Sequence, residues 1–245
     1  MALAQWAVPM TPRARSGFTL LELMIVVTII GVLAGLAAAA AQRIGTRNST
    51  QNAASDIGSV LQNARARAEQ RGSDVYVMVY PTMTRAGALT GGNGALFVYE
   101  DANGDFLTGS GACTGVGTAD CSWANFTPPT NINSPATSQD RFVQAIYLDN
   151  YPKANVRFGK LSTIPFKAPF SSIGTTANTN GCSFCATGNK GAVVFTGEQQ
   201  LRFLDNTGAP QSVRVAGLAL QGVDNTKNAF LFGLVGATGL VTLVQ

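Results

Sequence analysis

Apolar residues dominate one long stretch near the start of the chain. Residues 18–41 form a run of 24 in which Glu22 is the only charged residue. A helix needs about 20 apolar residues to cross the hydrocarbon core of a bilayer, so this run is long enough to span it. Arg13 and Arg15 precede the run, and the positive-inside rule then places the N-terminus in the cytoplasm and the remaining chain outside.

The residues that follow show a helical pattern of a different kind. Four apolar residues recur at intervals of four, three and four, which predicts an amphipathic helix: Ile57, Leu61, Ala64 and Ala68. Gly72 fits the position of a C-cap. The stretch RIGTRNST, residues 43–50, is weakly helical and is a candidate break. We therefore expect residues 18–41 to form a transmembrane helix and residues 42–72 its amphipathic continuation.

Beyond Gly72 the hydrophobic pattern changes to a period of two. DVYVMVY, residues 74–80, alternates valines with larger residues and predicts a half-buried strand. Eight further strands are predicted, with Gly, Asn or Asp turns between several of them, at residues 95–99, 142–148, 155–158, 192–195, 200–204, 212–218, 229–235 and 240–244. The expected fold class is α+β: a long helix carrying one antiparallel β-rich head, residues 73–245.

The N-terminal pattern has two ordinary explanations, a secretory signal peptide and a plain single-pass anchor. The sequence LAGLAAAAA offers a small-residue site at which a signal peptide could be cleaved. Both explanations leave Glu22 without a role, although a carboxylate is costly inside a membrane-spanning segment. A third explanation is local, because the positive end of the helix dipole favours a carboxylate in the first turn.

The segment SGFTLLELMIVVTIIGVLAG resembles the N-terminal signal of type IV pilins and type II secretion pseudopilins. The resemblance implies that residues 1–17 are a leader, which a prepilin peptidase removes between Gly17 and Phe18 before methylating the new N-terminus at Phe18. It also implies that Glu22 pairs with a neighbouring subunit's N-terminal amine in a filament. The leader is long unless translation starts at Met10, and the helix lacks the proline of many major pilins, which favours a minor subunit.

Two later stretches are similar to the GspH/FimT/FimU branch of pseudopilins and minor pilins: LQNARARAEQRGSDVYVMVY at the helix-to-strand junction, and LFVYEDANGDF. The branch implies a minor pilin that primes or joins the tip of a type IV pilus. The alternatives are a minor pseudopilin of type II secretion and a pilus-tip module that binds DNA or a surface.

The implied partners are other major and minor pilins or pseudopilins, the prepilin peptidase and the inner-membrane assembly platform. The chain would wait in the inner membrane with its head in the periplasm, then join the filament.

Composition narrows the chemistry that the head can perform. The chain has no histidine, a net charge of +4 and only 12% charged residues. The absence of histidine excludes Ser-His-Asp and Cys-His catalysis and every histidine-ligated metal site. A hydrolase would have to rely on carboxylates alone, so we expect no enzyme and no cofactor. Arg65, Arg67 and Arg71 lack interleaved aromatic residues, which indicates a solvated helix face rather than a nucleic-acid site.

The four cysteines, Cys113, Cys121, Cys182 and Cys185, fall into two local pairs within loops. An even number in such loops predicts disulfides and an oxidising compartment, with pairing 113–121 and 182–185 as the simplest of three connectivities. Cys182-Ser-Phe-Cys185 is also the spacing of redox enzymes, but no helical pattern follows it. A zinc site of four thiols is a further alternative.

Asp101, Asn103 and Asp105 have the D-x-N-x-D spacing of a calcium loop, in which oxygen ligands at alternate positions can point to one centre. The stretch lacks the glycine expected at its sixth position, where Phe106 stands, and the glutamate expected at its twelfth, where Ala112 stands. We therefore predict an Asx-rich turn and no metal, and keep these three residues as a weak calcium candidate.

Overall fold

The computed structural model describes residues 18–109, 122–126, 140–151, 156–159, 170, 173, 181–185, 189–223 and 229–244, with the side chains of residues 39–47 and 244 left aside. The chain divides into two compact units between Arg43 and Ile44. The first unit contains the apolar start of the only long helix among these residues. The second contains the rest of that helix and the β-rich head.

Helix α1 spans Leu20–Arg71. Residues 43–50 belong to it, so the helix continues through the candidate break, as the expected continuation over residues 42–72 requires. The prediction of Gly72 as C-cap is confirmed, because its φ of 65° is left-handed and its N–H donates to the Ala68 carbonyl at 2.9 Å. Glycine adopts this conformation without the steric cost that a Cβ would add.

Among the described residues of the head, nine antiparallel strands form two sheets. The first sheet has the order β3-β2-β1-β5-β6 and the second has the order β4-β7-β8-β9. The strands are β1 (Asp74–Tyr80), β2 (Ala95–Asp101), β3 (Arg141–Tyr147), β4 (Val156–Phe158), β5 (Gly191–Phe195), β6 (Leu201–Leu204), β7 (Val215–Gly222), β8 (Ala229–Val235) and β9 (Leu240–Val244). The α+β class, with an apolar N-terminal helix and an antiparallel head, is therefore confirmed.

The main core lies where α1 packs against both sheets within the second unit. Apolar side chains of residues 53–68, which we call the packed segment of α1, contribute Ile57 and Leu61. One face of β1 contributes Val75 and Val77, and the second sheet contributes Leu218 among others. The predicted amphipathic stripe is therefore the buried face of the helix.

A second, aromatic cluster covers the other face of the first sheet. Tyr76, Phe97 and Tyr99 belong to it, together with Phe106 and Trp123 from the chain between β2 and β3. Strand β1 is consequently buried on both faces, and the prediction of a half-buried strand is wrong. A hydrophobic period of two indicates that side chains alternate between the two faces of a strand. It does not indicate whether residues from elsewhere in the chain cover the second face.

Lys190 helps to hold this cluster closed. Its Nζ lies 3.9 Å from the centre of the Trp123 ring and donates to the Trp123 carbonyl at 2.7 Å. The indole N–H donates in turn to the Asn206 carbonyl at 3.2 Å. Burial lowers the pKa of Lys190 from 10.5 to about 8, because the surrounding protein disfavours the charged amine.

Candidate functional site

The N-terminal part of α1 is apolar and fully uncovered in the isolated chain. Leu20–Ala38, which we call the apolar segment, has a mean hydropathy of 2.5 and no buried residue. By length and composition it is able to cross a membrane. Its large apolar side chains are 49–79% exposed, and Phe18 immediately before it is 85% exposed. In water such a surface is unfavourable, so the segment requires lipid or other protein around it.

Glu22 lies in the first turn of this helix and forms a capping box with Thr19. The Thr19 hydroxyl accepts the Glu22 N–H at 3.2 Å. The Glu22 Oε2 accepts the Thr19 hydroxyl at 3.4 Å and the Thr19 N–H at 3.5 Å. Such a box satisfies two backbone donors that a helix start leaves unpaired. Sequence reasoning missed it, although Thr-x-x-Glu before an apolar run is its usual signal.

The structure places the other predicted site residues of this segment as follows. Phe18 directly precedes Thr19, so the Phe18 backbone lies within four residues of the Glu22 carboxylate along the chain. Gly17, the last residue of the predicted leader, lies outside the described residues. Cleavage after Gly17, methylation of Phe18 and pairing of Glu22 between subunits stay predictions.

A second carboxylate, Glu100, joins the end of α1 to the first sheet. Glu100 is 1% exposed. Arg67 Nε lies 2.8 Å from its Oε2, and Arg71 Nη1 donates to its Oε1 at 2.9 Å. Arg65 pairs with Glu69 at 2.8 Å on the helix surface. All three arginines therefore face carboxylates of their own chain, while their side chains stay 28–47% exposed on the predicted solvated face.

The weak calcium candidate is partly assembled. Carboxylate oxygens of Asp101, Asp105 and Asp140 lie within 4.8 Å of one another, and Asp140 was not predicted. Asp101 accepts the Gly104 N–H at 2.7 Å, and Asn103 accepts the Asp105 N–H at 3.2 Å. Burial raises the pKa of Asp101, and the Asp105 carboxylate adds to that shift. These contacts are those of the predicted Asx-rich turn, for which equal melting temperatures with calcium and with a chelator are expected.

Cys182 and Cys185 form a disulfide with an S–S distance of 2.05 Å, and both residues are buried. The loop that contains them pairs with β7: Ser183 donates its N–H to the Gly217 carbonyl at 2.9 Å, and its hydroxyl accepts the Gly217 N–H at 2.9 Å. The bridge therefore closes a structural loop against the sheet. Cys113 and Cys121 lie outside the described residues.

Comparison with known proteins matches one family, the prokaryotic N-terminal methylation motif, over residues 12–38. No curated protein and no solved structure matches the chain. The matched residues contain the predicted cleavage position and Glu22, and most of the apolar segment. They end before the stretches that resemble the GspH/FimT/FimU branch, so the branch stays a prediction.

The motif implies processing by a prepilin peptidase, membrane anchoring and assembly with other pilins. This motif, on an apolar helix that leads into an antiparallel β-rich head, supports a type IV pilin-like protein.

Proposed function

We propose that this chain is a minor pilin-like subunit that primes or joins the tip of a type IV pilus. A prepilin peptidase would remove residues 1–17 by cleavage between Gly17 and Phe18, and it would methylate Phe18. The observation that carries the proposal is the methylation motif at residues 12–38, which overlaps a fully exposed apolar helix. The proposed role is structural, with residues 73–245 as the head and no catalytic residue assigned.

Assembly follows from the exposed side chains of the apolar segment. Burying one large aliphatic side chain is favourable by about 1.5–3 kcal/mol, and the segment carries many of them. Lipid satisfies this requirement before assembly. Neighbouring helices satisfy it in a filament, where close packing between side chains replaces contacts with lipid chains. The segment therefore transfers from membrane to filament without passing through water.

Glu22 gives this transfer its register. In the single chain its carboxylate is exposed to the surroundings, and among the described residues its hydrogen bonds are those to Thr19 in the first turn. Burial of a lone carboxylate among apolar helices is costly, whereas a carboxylate paired with a cation is tolerated. The amine of a neighbour's Phe18 would supply that cation after cleavage. Neighbouring subunits would then pack only at the axial offset that brings the Glu22 carboxylate to the Phe18 amine. Before assembly, the contact with Thr19 would hold the carboxylate in place.

The proposed location is the inner membrane, with the N-terminus in the cytoplasm and the head in the periplasm, followed by the filament. Arg13 and Arg15 support the orientation through the positive-inside rule. The Cys182–Cys185 disulfide supports an oxidising compartment for the head. A minor pseudopilin of type II secretion has the same kind of N-terminal motif and is the alternative, and a tip module that binds DNA or a surface would keep the same anchor.

The test is the amount of protein in sheared filaments from cells that contain the prepilin peptidase and the other pilin-like subunits. We expect Glu22→Ala and Glu22→Gln to lower incorporation by at least about tenfold, the cost of one unpaired buried charge partner. Glu198→Gln, which neutralises an exposed carboxylate of the head, is the matched control and should incorporate normally. Normal incorporation of Glu22→Ala at equal membrane levels would contradict the proposed pairing.

A further inference from the structure

A groove of about 320 Å³ lies between α1 and strand β3 in the second unit. Asp56 and Ser59 line one side, and residues 144–147, Asn150 and Tyr151 line the other. Among these described lining residues, Asp56 is the only charged one. The Tyr151 hydroxyl donates to Asp56 Oδ2 at 2.6 Å, which holds the carboxylate at the wall of the groove.

Strand β3 is an edge of the first sheet. It pairs with β2 on one side, and no other strand in the described part of the chain pairs with it on the second side. The register places Ala145 opposite Phe97, and the Leu148 N–H donates to the Gly94 carbonyl at 2.9 Å one step beyond the last strand pair. Hydrogen-bonded and non-hydrogen-bonded pairs alternate along an antiparallel ladder. The N–H and carbonyl of Ala145 therefore point away from β2, towards the open side.

A β-bulge in β3 shortens the part of its open edge that can pair with another strand, but leaves the rest available. The register with β2 shifts between Val98 and Tyr99, where β3 carries Val143 as an additional residue. Bulges of this kind discourage unwanted pairing at sheet edges. Residues 144–147 lie beyond the bulge and keep regular pairing with β2. Of these, residues 144–146 offer about 10 Å of straight edge, at 3.3 Å per residue, beside the Asp56 carboxylate.

We propose that this groove docks an extended peptide segment of a partner subunit, which adds to the open edge of β3 and places a lysine or arginine against Asp56. Main-chain hydrogen bonds at an open edge supply affinity to such segments, and alternate side chains supply specificity. An acidic segment would meet the Asp56 carboxylate and be repelled, so the charge of the groove selects a basic one. The identity of the partner as another subunit rests on the proposed function, whereas the groove itself lies in the head and is tested below without assembly through the apolar segment.

Three synthetic peptides of about eight residues, the length of an ordinary strand, serve as probes. Each alternates threonine and valine, and the central residue is lysine, glutamate or proline. Binding is measured by fluorescence anisotropy with the full chain in detergent micelles. We expect the lysine peptide to bind about fivefold more tightly than the glutamate peptide, as for a partly exposed ion pair, and the proline peptide to bind least.

Two variants separate the contributions of charge and backbone. Asp56→Lys should reverse the preference, so that the glutamate peptide binds more tightly than the lysine peptide. Glu198→Lys, which makes the same charge change in the exposed β5–β6 turn, should leave the preference as it is. Ala145→Pro removes an outward N–H without removing a hydrogen bond to β2, and should weaken both peptides about tenfold.

Equal binding of the lysine and glutamate peptides would overturn the proposal, and so would an unchanged preference in Asp56→Lys. Undiminished binding to a folded Ala145→Pro chain would place the peptide elsewhere and have the same consequence. If Ala145→Pro fails to fold, the Asp56→Lys variant decides whether the proposal stands. Misfolding cannot reverse the order of the affinities for the lysine and glutamate peptides. Normal filament incorporation alongside a negative peptide result would leave the assembly proposal intact.

Discussion

Two parts of one helix, α1, differ completely in what surrounds them. The large apolar side chains of the apolar segment are 49–79% exposed, whereas the core side chains of the packed segment, residues 53–68, are 0–3% exposed. Both parts are helical, so helix propensity does not distinguish them. The packed segment finds its partners within its own chain. The apolar segment has to find them in lipid or in other subunits, which is the physical basis of an assembling protein.

Two carboxylates show the same difference. Glu100 is buried and faces Arg67 and Arg71, so its charge is compensated within the chain. Glu22 is exposed, and within the part of the chain that the structure describes it bonds to Thr19 in the first turn of the helix. The first carboxylate completes the head, and the second is the one for which we propose a partner in another subunit.

The largest expected effect comes from placing charges in the apolar segment, which tests whether that segment anchors the chain in the membrane. Ile29→Arg with Leu33→Arg puts two charges on one face of the apolar segment, at about 3 kcal/mol each, or about 6 kcal/mol in total. We expect most of the protein to leave the membrane pellet on cell fractionation. Ile29→Leu with Leu33→Ile is the apolar control and should stay in the pellet. Full retention of the arginine variant would show that this segment does not anchor the chain.

The next effect compares equal truncations in the two parts of the helix. Leu61→Ala removes a fully buried side chain, and we expect it to lower the free energy of unfolding of the head by about 3 kcal/mol. Leu33→Ala removes the same atoms from an exposed position and should change that free energy by less than about 0.5 kcal/mol. Denaturant unfolding in detergent, followed by tryptophan fluorescence, measures both. Similar losses would remove the distinction between the segments.

The two carboxylates allow a smaller test of the same kind. Glu100→Gln leaves Arg67 and Arg71 without their shared anion, but both arginines retain contact with water. We expect a loss of about 2 kcal/mol in the free energy of unfolding, below that of a fully buried pair. Glu22→Gln should leave head unfolding unchanged. A larger effect of Glu22→Gln than of Glu100→Gln would contradict the assignment of the two carboxylates.

The smallest effect depends on pH and belongs to the head alone. Lys190 has a pKa of about 8 when folded and an ordinary value of 10.5 when unfolded, so the unfolded chain binds more protons between these values. The free energy of unfolding therefore rises with pH across that window. The full shift corresponds to about 3 kcal/mol between pH 7.5 and pH 10.5. Because Lys190 is only partly buried, solvent screening reduces this contribution, and we expect the difference in the free energy of unfolding between the unmodified chain and Lys190→Met to increase by about 1 kcal/mol. The Leu33→Ala chain should follow the unmodified profile, and a difference that falls with pH would contradict the buried amine.

Much of the fold is readable from local patterns. Alternating residues predict all nine strands of the described head. Seven of these strands contribute buried side chains to the core that contains α1, and β3 and β9 contribute only partly buried ones. The start of β7 is displaced, since Val213 is exposed and pairing with β8 begins only at Val215. The second core cluster is not readable, because Trp123 and Phe106 reach it from loops that no period marks.

The candidate sites also differ in whether one continuous stretch of sequence contains all of their residues. Phe18 and Glu22 belong to one continuous motif, so their spacing alone indicates their chemistry. The Glu100 ion pairs and the Asp140 carboxylate beside Asp101 join residues far apart in the chain. Contact between α1 and β2 forms the ion pairs, and the register of β2 with β3 brings Asp140 to Asp101. The groove at Asp56 requires α1, β3 and Tyr151 at once, so no single stretch of sequence could reveal it.

The intact mass of the protein extracted from membranes, with and without a prepilin peptidase, tests the central claim most directly. The account predicts a chain that begins at Phe18, carries one additional methyl group and is found only when the peptidase is present. A full-length chain in both preparations, or a chain cut after the alanine run near the end of the apolar segment, would contradict it. Glu22 would then need a role other than filament assembly.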